Sequence, residues 1–495
     1  MTWNKKQPTL RLADSKKISH KKEELPNTHI PVAPSDSKVQ DLALAPAGDE
    51  LLEQMTPHMP AVMAVKQKFA QDQPLTGVVV IGNVYLTPET GVFILALQSL
   101  GAQVRWTSPY PASTDDRVAA ALACKGVAVY ASRQQSHREQ KNFHKKLLYT
   151  KSYQPQEVGF IIDHTGALME TYYSQTSFKT SSQLLGVAIG SKSADYQIKL
   201  KAMGNKSNQK MNFRLFNLGH CMAFSRVGSY AFTLETTLNA LNQLNKLGYA
   251  KTLKKKALII GYGYVGKAVA HTLRSKGVKE ILVADVDAMC AYQAMMDGHT
   301  SVAIHEPIIT KEAKSRDQLA SASFIEVHKK TSIHTEIFKN VDLVITTTGV
   351  KNIIDHQIIN HLKPDATLMN MSDELKEINF STIQRKYEST EVQPHIWQIK
   401  VLKQKTGYYD HDLDDDESHN VYLIGSGLPF NHVFCDMWPT KHLDLMLATY
   451  GQCLCDVAHH PINDNLHSDN EIFYKNYDLD NYLAEAILSH HSSMA

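Results

Sequence analysis

Four apolar residues, Ala257-Leu258-Ile259-Ile260, run directly into Gly261-Tyr262-Gly263-Tyr264-Val265-Gly266. A short apolar run bounded by glycine predicts a buried strand. Glycines at this spacing then constrain the turn and the helix after it. Gly261 permits a tight turn, Gly263 leaves the backbone bare enough for a pyrophosphate to approach, and Gly266 lets a helix pack closely on the strand. Residues 267–276 continue at helical spacing, with Ala268, Ala270 and Leu273 in step. The N-terminus of that helix can hold phosphates, so Gly261, Gly263, Tyr264, Val265 and Gly266 are assigned to a dinucleotide. A second strand over 281–284 ends in Asp285, 19 residues after Gly266. A carboxylate there meets the adenosine ribose hydroxyls and disfavours a 2′-phosphate, which selects NAD over NADP. Residues 341–345 predict a further strand, ending in Thr346-Thr347-Thr348-Gly349. Small hydroxyl residues and a glycine at a strand end suit the rim of the same crevice, and Thr346, Thr347 and Gly349 are placed there. Residues 368–371 read as one more strand of this sheet.

Upstream, strand-like runs at 77–81, 103–106, 127–130 and 159–163 alternate with helical spacing such as that of 91–97. Such alternation implies parallel sheets with helices on both faces. Leu234, Leu238, Leu241 and Leu244 mark a connecting helix from 230 to about 247, and Leu443, Leu445, Leu447, Tyr450 and Leu454 mark another within 440–470. A chain of 495 residues, 43% hydrophobic and 21% charged, has room for two such domains and excludes a mainly disordered or fibrous protein. The formal net charge of +2 gives the folded body no reason to bind nucleic acid. That sum is uneven. Residues 1–22 hold seven Lys/Arg against Asp14, a net +6, so the remaining chain sums to −4. Residues 1–45 read as a disordered basic arm, either a solvated tail without a specific role or a tether to an acidic partner, or a targeting or secretion tail. Six acids, Asp410, Asp412, Asp414, Asp415, Asp416 and Glu417, crowd a polar loop over 406–420. No glycine or bidentate Glu sits there at EF-hand spacing, and the loop reads as a solvated hairpin tip rather than a Ca²⁺ site, so no metal is assigned. Six scattered cysteines without a CxxC pair indicate a reduced, cytoplasmic setting. Neither a secretory signal nor an apolar run of about 18 residues is found, so no membrane insertion is expected.

GYGYVGK at 261–267, Asp285 within VADVDAMCAYQAMMDG, and VITTTGVKNII at 344–354 resemble the NAD-binding domain of S-adenosylhomocysteine hydrolase. Met59-Pro60-Ala61-Val62-Met63, Pro74-Leu75-Thr76-Gly77, Thr87-Pro88-Glu89-Thr90 and Leu100-Gly101-Ala102-Gln103-Val104-Arg105-Trp106 are similar to the start of that family's substrate domain. The resemblance covers roughly residues 50–450. It implies two doubly wound Rossmann-like α/β domains around a cleft, the NAD-binding domain inserted into the substrate-binding domain. On that plan the substrate domain spans 46–229, the NAD-binding domain 230–437, the return to the substrate domain 438–470, and a C-terminal tail 471–495. The resemblance further implies a homo-oligomer and a nucleoside-like small-molecule ligand. It also implies a closed cycle in which tightly held NAD⁺ oxidises the ribose 3′-hydroxyl, the thiol leaves, water adds, and the ketone is reduced again.

Position by position the likeness is uneven. Thr87 and Glu89, which would hold adenosine, are kept, but Tyr85 stands where the family has His. The family's Asp-Asp-Gly-Gly becomes Asp163-His164-Thr165-Gly166, so His164 replaces its catalytic Asp. Its Glu-Glu-Thr-Thr-Thr-Gly segment falls on Ile189-Gly190-Ser191-Lys192-Ser193-Ala194, and its catalytic Lys and Asp fall on His220 and Phe224. Gly-His-Phe-Asp becomes Ser372-Asp373-Glu374-Leu375. Asn431, a nicotinamide contact in the family, and Pro439 are kept, while Trp438 replaces a His. The tail that caps a neighbour's NAD is not recognisable in 471–495. Cofactor residues thus survive where proton-moving ones change. Three readings compete. NAD-dependent redox chemistry on a nucleoside-like molecule could use Tyr85, His164 and His220, since histidine titrates near neutrality and a tyrosine beside it can relay a proton. A catalytically silent NAD- or adenosine-binding partner protein is the second, and retained S-adenosylhomocysteine hydrolysis the third.

Overall fold

A computed structural model describes residues 37–148, 158–174, 184–189, 214–249, 256–303, 335–372, 377–402, 418–435, 438–459, 471–473 and 482–489. Its strands are β1 (Val78–Asn83), β2 (Gln103–Thr107), β3 (Ala128–Tyr130), β4 (Val158–Asp163), β5 (Leu184–Ile189), β6 (Arg214–Asn217), β7 (Lys256–Ile260) and β8 (Glu280–Ala284). They continue with β9 (Thr300–Ser301), β10 (Leu343–Thr346), β11 (Thr367–Asn370), β12 (Ser389–Gln393), β13 (Ile396–Leu402), β14 (Ser418–Pro429) and β15 (Glu471–Phe473).

Two sheets result. The first has the order β3-β2-β1-β4-β5-β6-β15, and every neighbouring pair is parallel. The second runs β9-β8-β7-β10-β11-β14-β13-β12, parallel from β9 to β14 and finished by two antiparallel strands. β1 is apolar on both faces, with Val78 and Val80 in one core and Val79 and Ile81 in another, as a parallel strand covered on both sides must be. β7 does the same, Ile259 facing one core and Leu258 the other. Among the parallel strands of each sheet the order reverses at one point, between β1 and β4 in the first and between β7 and β10 in the second. Ligands of open α/β sheets bind beyond the carboxyl ends of the strands at such points.

The two sheets are joined by the π-helical segment Ala223–Ser229, which leads into the helix Tyr230–Lys246. The chain returns through the helix Thr440–His459, whose Leu445, Leu447, Tyr450, Cys453 and Leu454 complete the first sheet's core. Asp444 in that helix is buried and accepts the backbone N–H groups of Ala61 and Val62 at 2.8 Å each. It thereby caps the helix Pro60–Phe69 from almost the other end of the chain. Burial outweighs those two bonds and pushes its carboxyl up to about 7. Among the described residues no helix is long and apolar enough to cross a membrane.

Three expectations change at their edges. The arm expected over 1–45 yields to structure at its end. Lys38 donates its N–H to the Val129 carbonyl at 2.7 Å and accepts from the Ala131 N–H at 3.2 Å, and Val39 and Leu42 pack on the first core. β3 is an edge strand whose open backbone groups recruit whatever chain lies beside it. Residues 1–36 lie outside the described residues. In the acidic stretch, 406–417 also lie outside them, while Ser418, His419 and Asn420 are strand, because β13 offers them an antiparallel partner. Of the expected tail 471–495, residues 471–473 form β15 against β6 and residues 482–489 form a helix. Leu483 of that helix is buried in the first core, and the Tyr482 hydroxyl donates to the Ala64 carbonyl at 3.0 Å. Leu483 and Ile487, four apart, give it the apolar stripe it needs.

Candidate functional site

At the second sheet's reversal the glycines divide their labour. Gly261 has φ +99, and a Cβ there would lie 2.8 Å from the Thr347 hydroxyl. At Gly266 a Cβ would collide with the Gly261 carbonyl oxygen. At Gly263 it would meet nothing within 4 Å. Two glycines are therefore demanded by the protein itself, and the third leaves empty space at the N-terminus of the helix Tyr264–Ser275. Tyr264 and Val265 open that helix, whose first-turn N–H groups favour an anion.

Asp285 comes directly after β8. Its Oδ2 accepts the Tyr262 N–H at 2.5 Å and its Oδ1 the Asp287 N–H at 2.8 Å, so the carboxylate is fixed beside the glycine turn. Across the crevice Thr347 donates to the Gly261 carbonyl at 2.7 Å, and buried Thr346 reaches Asn370 at 3.4 Å. Gly349 is held by a residue the sequence did not point out. The Oε1 of fully buried Glu377 accepts from the Thr348 hydroxyl at 2.7 Å, from the Val350 N–H at 3.2 Å and from the Gly349 N–H. Glu377 belongs to no motif, and no pattern in the sequence marks it. Asn431 donates to the Thr236 hydroxyl at 3.0 Å, and its own Oδ1 is buried without a hydrogen-bond partner. Open space at Gly263, an anchored acid and an unsatisfied amide oxygen together fit NAD. The turn and Asp285 would hold its adenosine half and Asn431 its nicotinamide.

At the first sheet's reversal the architecture is the same and the contents differ. Asn83 ends β1 and Asp163 ends β4, and the two are register partners. Asp163 is fully buried and accepts from Asn83 Nδ2 at 2.9 Å, the Gly166 N–H at 3.0 Å and the Met169 N–H at 2.9 Å. Burial pushes its carboxyl up against these bonds. Asp163 is thus occupied with the loop that presents the next residue, His164. The His164 ring lies 5.1 Å from Tyr85, centroid to centroid, in an edge-on arrangement. Tyr85 is also 5.9 Å from Tyr110, 5.2 Å from His432 and 5.1 Å from Trp438. Phe232 of the connecting helix adds contacts of 6.5 Å to His432 and 5.4 Å to Trp438. Rings from both sheets and both connections therefore meet around Tyr85, which is 4% exposed.

Next to this cluster, the Thr87 hydroxyl is buried without a hydrogen-bond partner. Glu89, in the first turn of the helix Pro88–Ser99, is buried and accepts from the Thr440 hydroxyl at 2.9 Å. Asn83, which no sequence motif marks, likewise has a buried Oδ1 without a partner. Tyr85 and His164 are brought together. The backbone places His220 at the close of the turn Leu218–His220 after β6, two strands beyond β4. Phe224 packs edge-on against Tyr450 at 5.2 Å inside the first core. A proton-moving group at that position would be a buried charge. Of the segments aligned with the family's other motifs, 190–194 and 373–375 lie outside the described residues.

Comparison with known proteins finds relatives for most of the chain. A family model of S-adenosyl-L-homocysteine hydrolase matches residues 36–221, and one of its NAD binding domain matches residues 244–314 and 320–406. A curated adenosylhomocysteinase of Acinetobacter baylyi is 27% identical over 374 residues, 76% of this chain and 74% of its own. Among solved structures, a transhydrogenase from Sinorhizobium meliloti aligns at 12% identity and a TM-score of 0.34, over 79% of this chain and 96% of that one. The A chain of dipicolinate synthase from Bacillus subtilis aligns at 11% identity and a TM-score of 0.36, over 77% and 96% of the two chains. Likeness at that level says nothing of what this chain binds.

Proposed function

Because the chain belongs to the S-adenosylhomocysteine hydrolase family and carries its NAD-binding domain, we propose that it performs NAD-dependent redox chemistry on a nucleoside-like small molecule, with Tyr85 and His164 as its proton-handling pair. The observation that carries this reading is the contact between those two rings at the first sheet's reversal, 5.1 Å apart. NAD, held by the glycine turn, Asp285 and Asn431, would supply a hydride acceptor. Thr87 and Glu89 would orient the ligand's hydroxyl groups, and the surrounding rings would exclude water from the alcohol being oxidised. His164 would take the hydroxyl proton directly or through the Tyr85 phenol. The loop bonds of Asp163 fix where His164 stands.

The test begins with the nucleotide that co-purifies. A panel of nucleosides is then added while the absorbance of reduced nicotinamide is followed in wild type, Tyr85→Phe and His164→Asn. Reduction that is lost in both variants, with NAD still bound, supports the proposal. Reduction that is undiminished in both overturns it.

A second reading has its own support. Tyr85 is almost wholly enclosed by Tyr110, His164, His432 and Trp438, a packing that suits a protein binding NAD without turning it over. Bound NAD that no nucleoside reduces would favour that reading. Homocysteine release, measured with a thiol reagent, would favour the parent hydrolysis.

A further inference from the structure

Tyr262 lies between two of the three glycines of the turn, where the backbone has the least stiffness of its own. It is 1% exposed, and its ring is buried in the core that the helices Tyr230–Lys246 and Tyr264–Ser275 share. Both its ends are tied. Its N–H donates to Asp285 at 2.5 Å, just before the helix Ala288–Met296, and its hydroxyl donates to the Asp297 Oδ2 at 3.0 Å, just after that helix. The other oxygen of Asp297 accepts from the Gln293 side chain at 3.0 Å. The Lys267 ammonium stands 5.7 Å from the ring centroid, and His299 packs edge-on against the ring at 5.8 Å.

We infer that Tyr262 is a positioning residue for the dinucleotide, acting through its hydroxyl bond to Asp297 to hold the phosphate-binding turn in register with Asp285. A turn with glycine on either side of one residue samples many conformations unless that residue is pinned. A ligand that must freeze such a turn binds more weakly by the cost of freezing it. Here the pin reaches the far end of the helix that Asp285 precedes, so the turn that meets the pyrophosphate and the acid that meets the ribose move as one unit. Phenylalanine would fill the core equally well. The hydroxyl and its exposed acceptor are what the packing alone does not require.

The full-length protein, stripped of nucleotide, is titrated with NAD in wild type, Tyr262→Phe, Asp297→Ala, Asp297→Asn and the double variant Tyr262→Phe/Asp297→Ala. Thermal unfolding of each nucleotide-free protein is measured in parallel. Loss of one hydrogen bond to a charged group at a partly exposed site predicts a Kd about fivefold weaker in Tyr262→Phe and in Asp297→Ala. The double variant should be no weaker than either single one, Asp297→Asn should recover most of the affinity because its amide oxygen still accepts, and the unfolding temperatures should stay together. An unchanged Kd in Tyr262→Phe overturns the inference. So do additive losses in the double variant, or losses that track a fall in unfolding temperature, since either would reduce Tyr262 to ordinary packing. These outcomes concern NAD binding alone and do not depend on whether any nucleoside is turned over.

Discussion

The two strand-order reversals share one topology and are furnished in opposite ways. Between β7 and β10 the working surface is backbone, with a bare Gly263, a helix N-terminus, and carboxylates that grip N–H groups. Between β1 and β4 it is side chain, with Tyr85 ringed by Tyr110, His164, His432 and Trp438. A site made of backbone tolerates almost no substitution, because the glycines answer to sterics. A site made of side chains can change its chemistry one residue at a time while the sheet beneath stays as it was. Such a contrast would let a cofactor cradle persist while the chemistry of the other site changed.

The contrast can be broken or sharpened by substitution. The largest effect is expected at Phe224→Asp, which puts an acid where the fold packs Phe224 edge-on against Tyr450. Burying that charge should cost about 4 kcal/mol, read as a lower midpoint in chemical denaturation. A stable variant that released homocysteine would show the acid to be accommodated after all. Gly263→Val comes next. Its φ of −73 accepts a side chain and its Cβ meets no protein atom, so the fold should persist. NAD affinity should fall about 100-fold, or about 3 kcal/mol, by titration. Equal loss of fold and affinity would make Gly263 a packing glycine like Gly266.

A similar magnitude attaches to pH at a histidine beside the first sheet. His144 is buried, and desolvation lowers its pKa from 6.5 to about 4. Its folded value lies below its unfolded one, so the stability it contributes is complete above pH 6.5 and is lost as pH falls towards 4. Asp444, its carboxyl raised to about 7, works in the opposite direction in both proteins. The test is therefore the difference between wild type and His144→Leu, which should shift by about 3 kcal/mol against wild type as pH falls across that range, measured as denaturation midpoints. Thr87→Val should be the smallest. It replaces an unsatisfied buried hydroxyl with a methyl, so the free protein should be unchanged or slightly steadier while nucleoside affinity drops by about 1 kcal/mol in a titration. Weaker NAD binding in that variant would erase the separation between the two sites.

The second sheet was legible in the sequence because its signals are local. Strand, glycine turn, helix and acid succeed one another within residues 257–285, and each is dictated by sterics between near neighbours. The Tyr85–His164 contact was legible as two positions of a resemblance, and register explains their meeting, since each lies just beyond the paired residues Asn83 and Asp163. Glu377 was not legible. Its grip on Gly349 depends on the bridge between Ile354 and Ile378 that brings their two segments together, and a lone Glu carries no signature of burial. The enclosure of Tyr85 is equally hidden, because its rings arrive from residues 110, 164, 432 and 438, which no periodicity links. Residues 37–45 depart from the expected arm for a related reason, as their partner β3 lies about ninety residues away.

The insertion has a consequence for the order in which this protein can assemble. The parallel core of the second sheet uses the uninterrupted span 256–429, so it can close as soon as that stretch leaves the ribosome. The first sheet begins earlier and finishes later. Its core waits for Leu445 to Leu454, the helix Pro60–Phe69 waits for Asp444, and β6 waits for β15. Contacts spanning so much chain form slowly, and apolar surface stays open meanwhile. A nascent chain halted before residue 440 should therefore carry a protease-resistant NAD-binding domain beside a first domain that is still cleavable. Chaperone demand should fall on the half that was synthesised first.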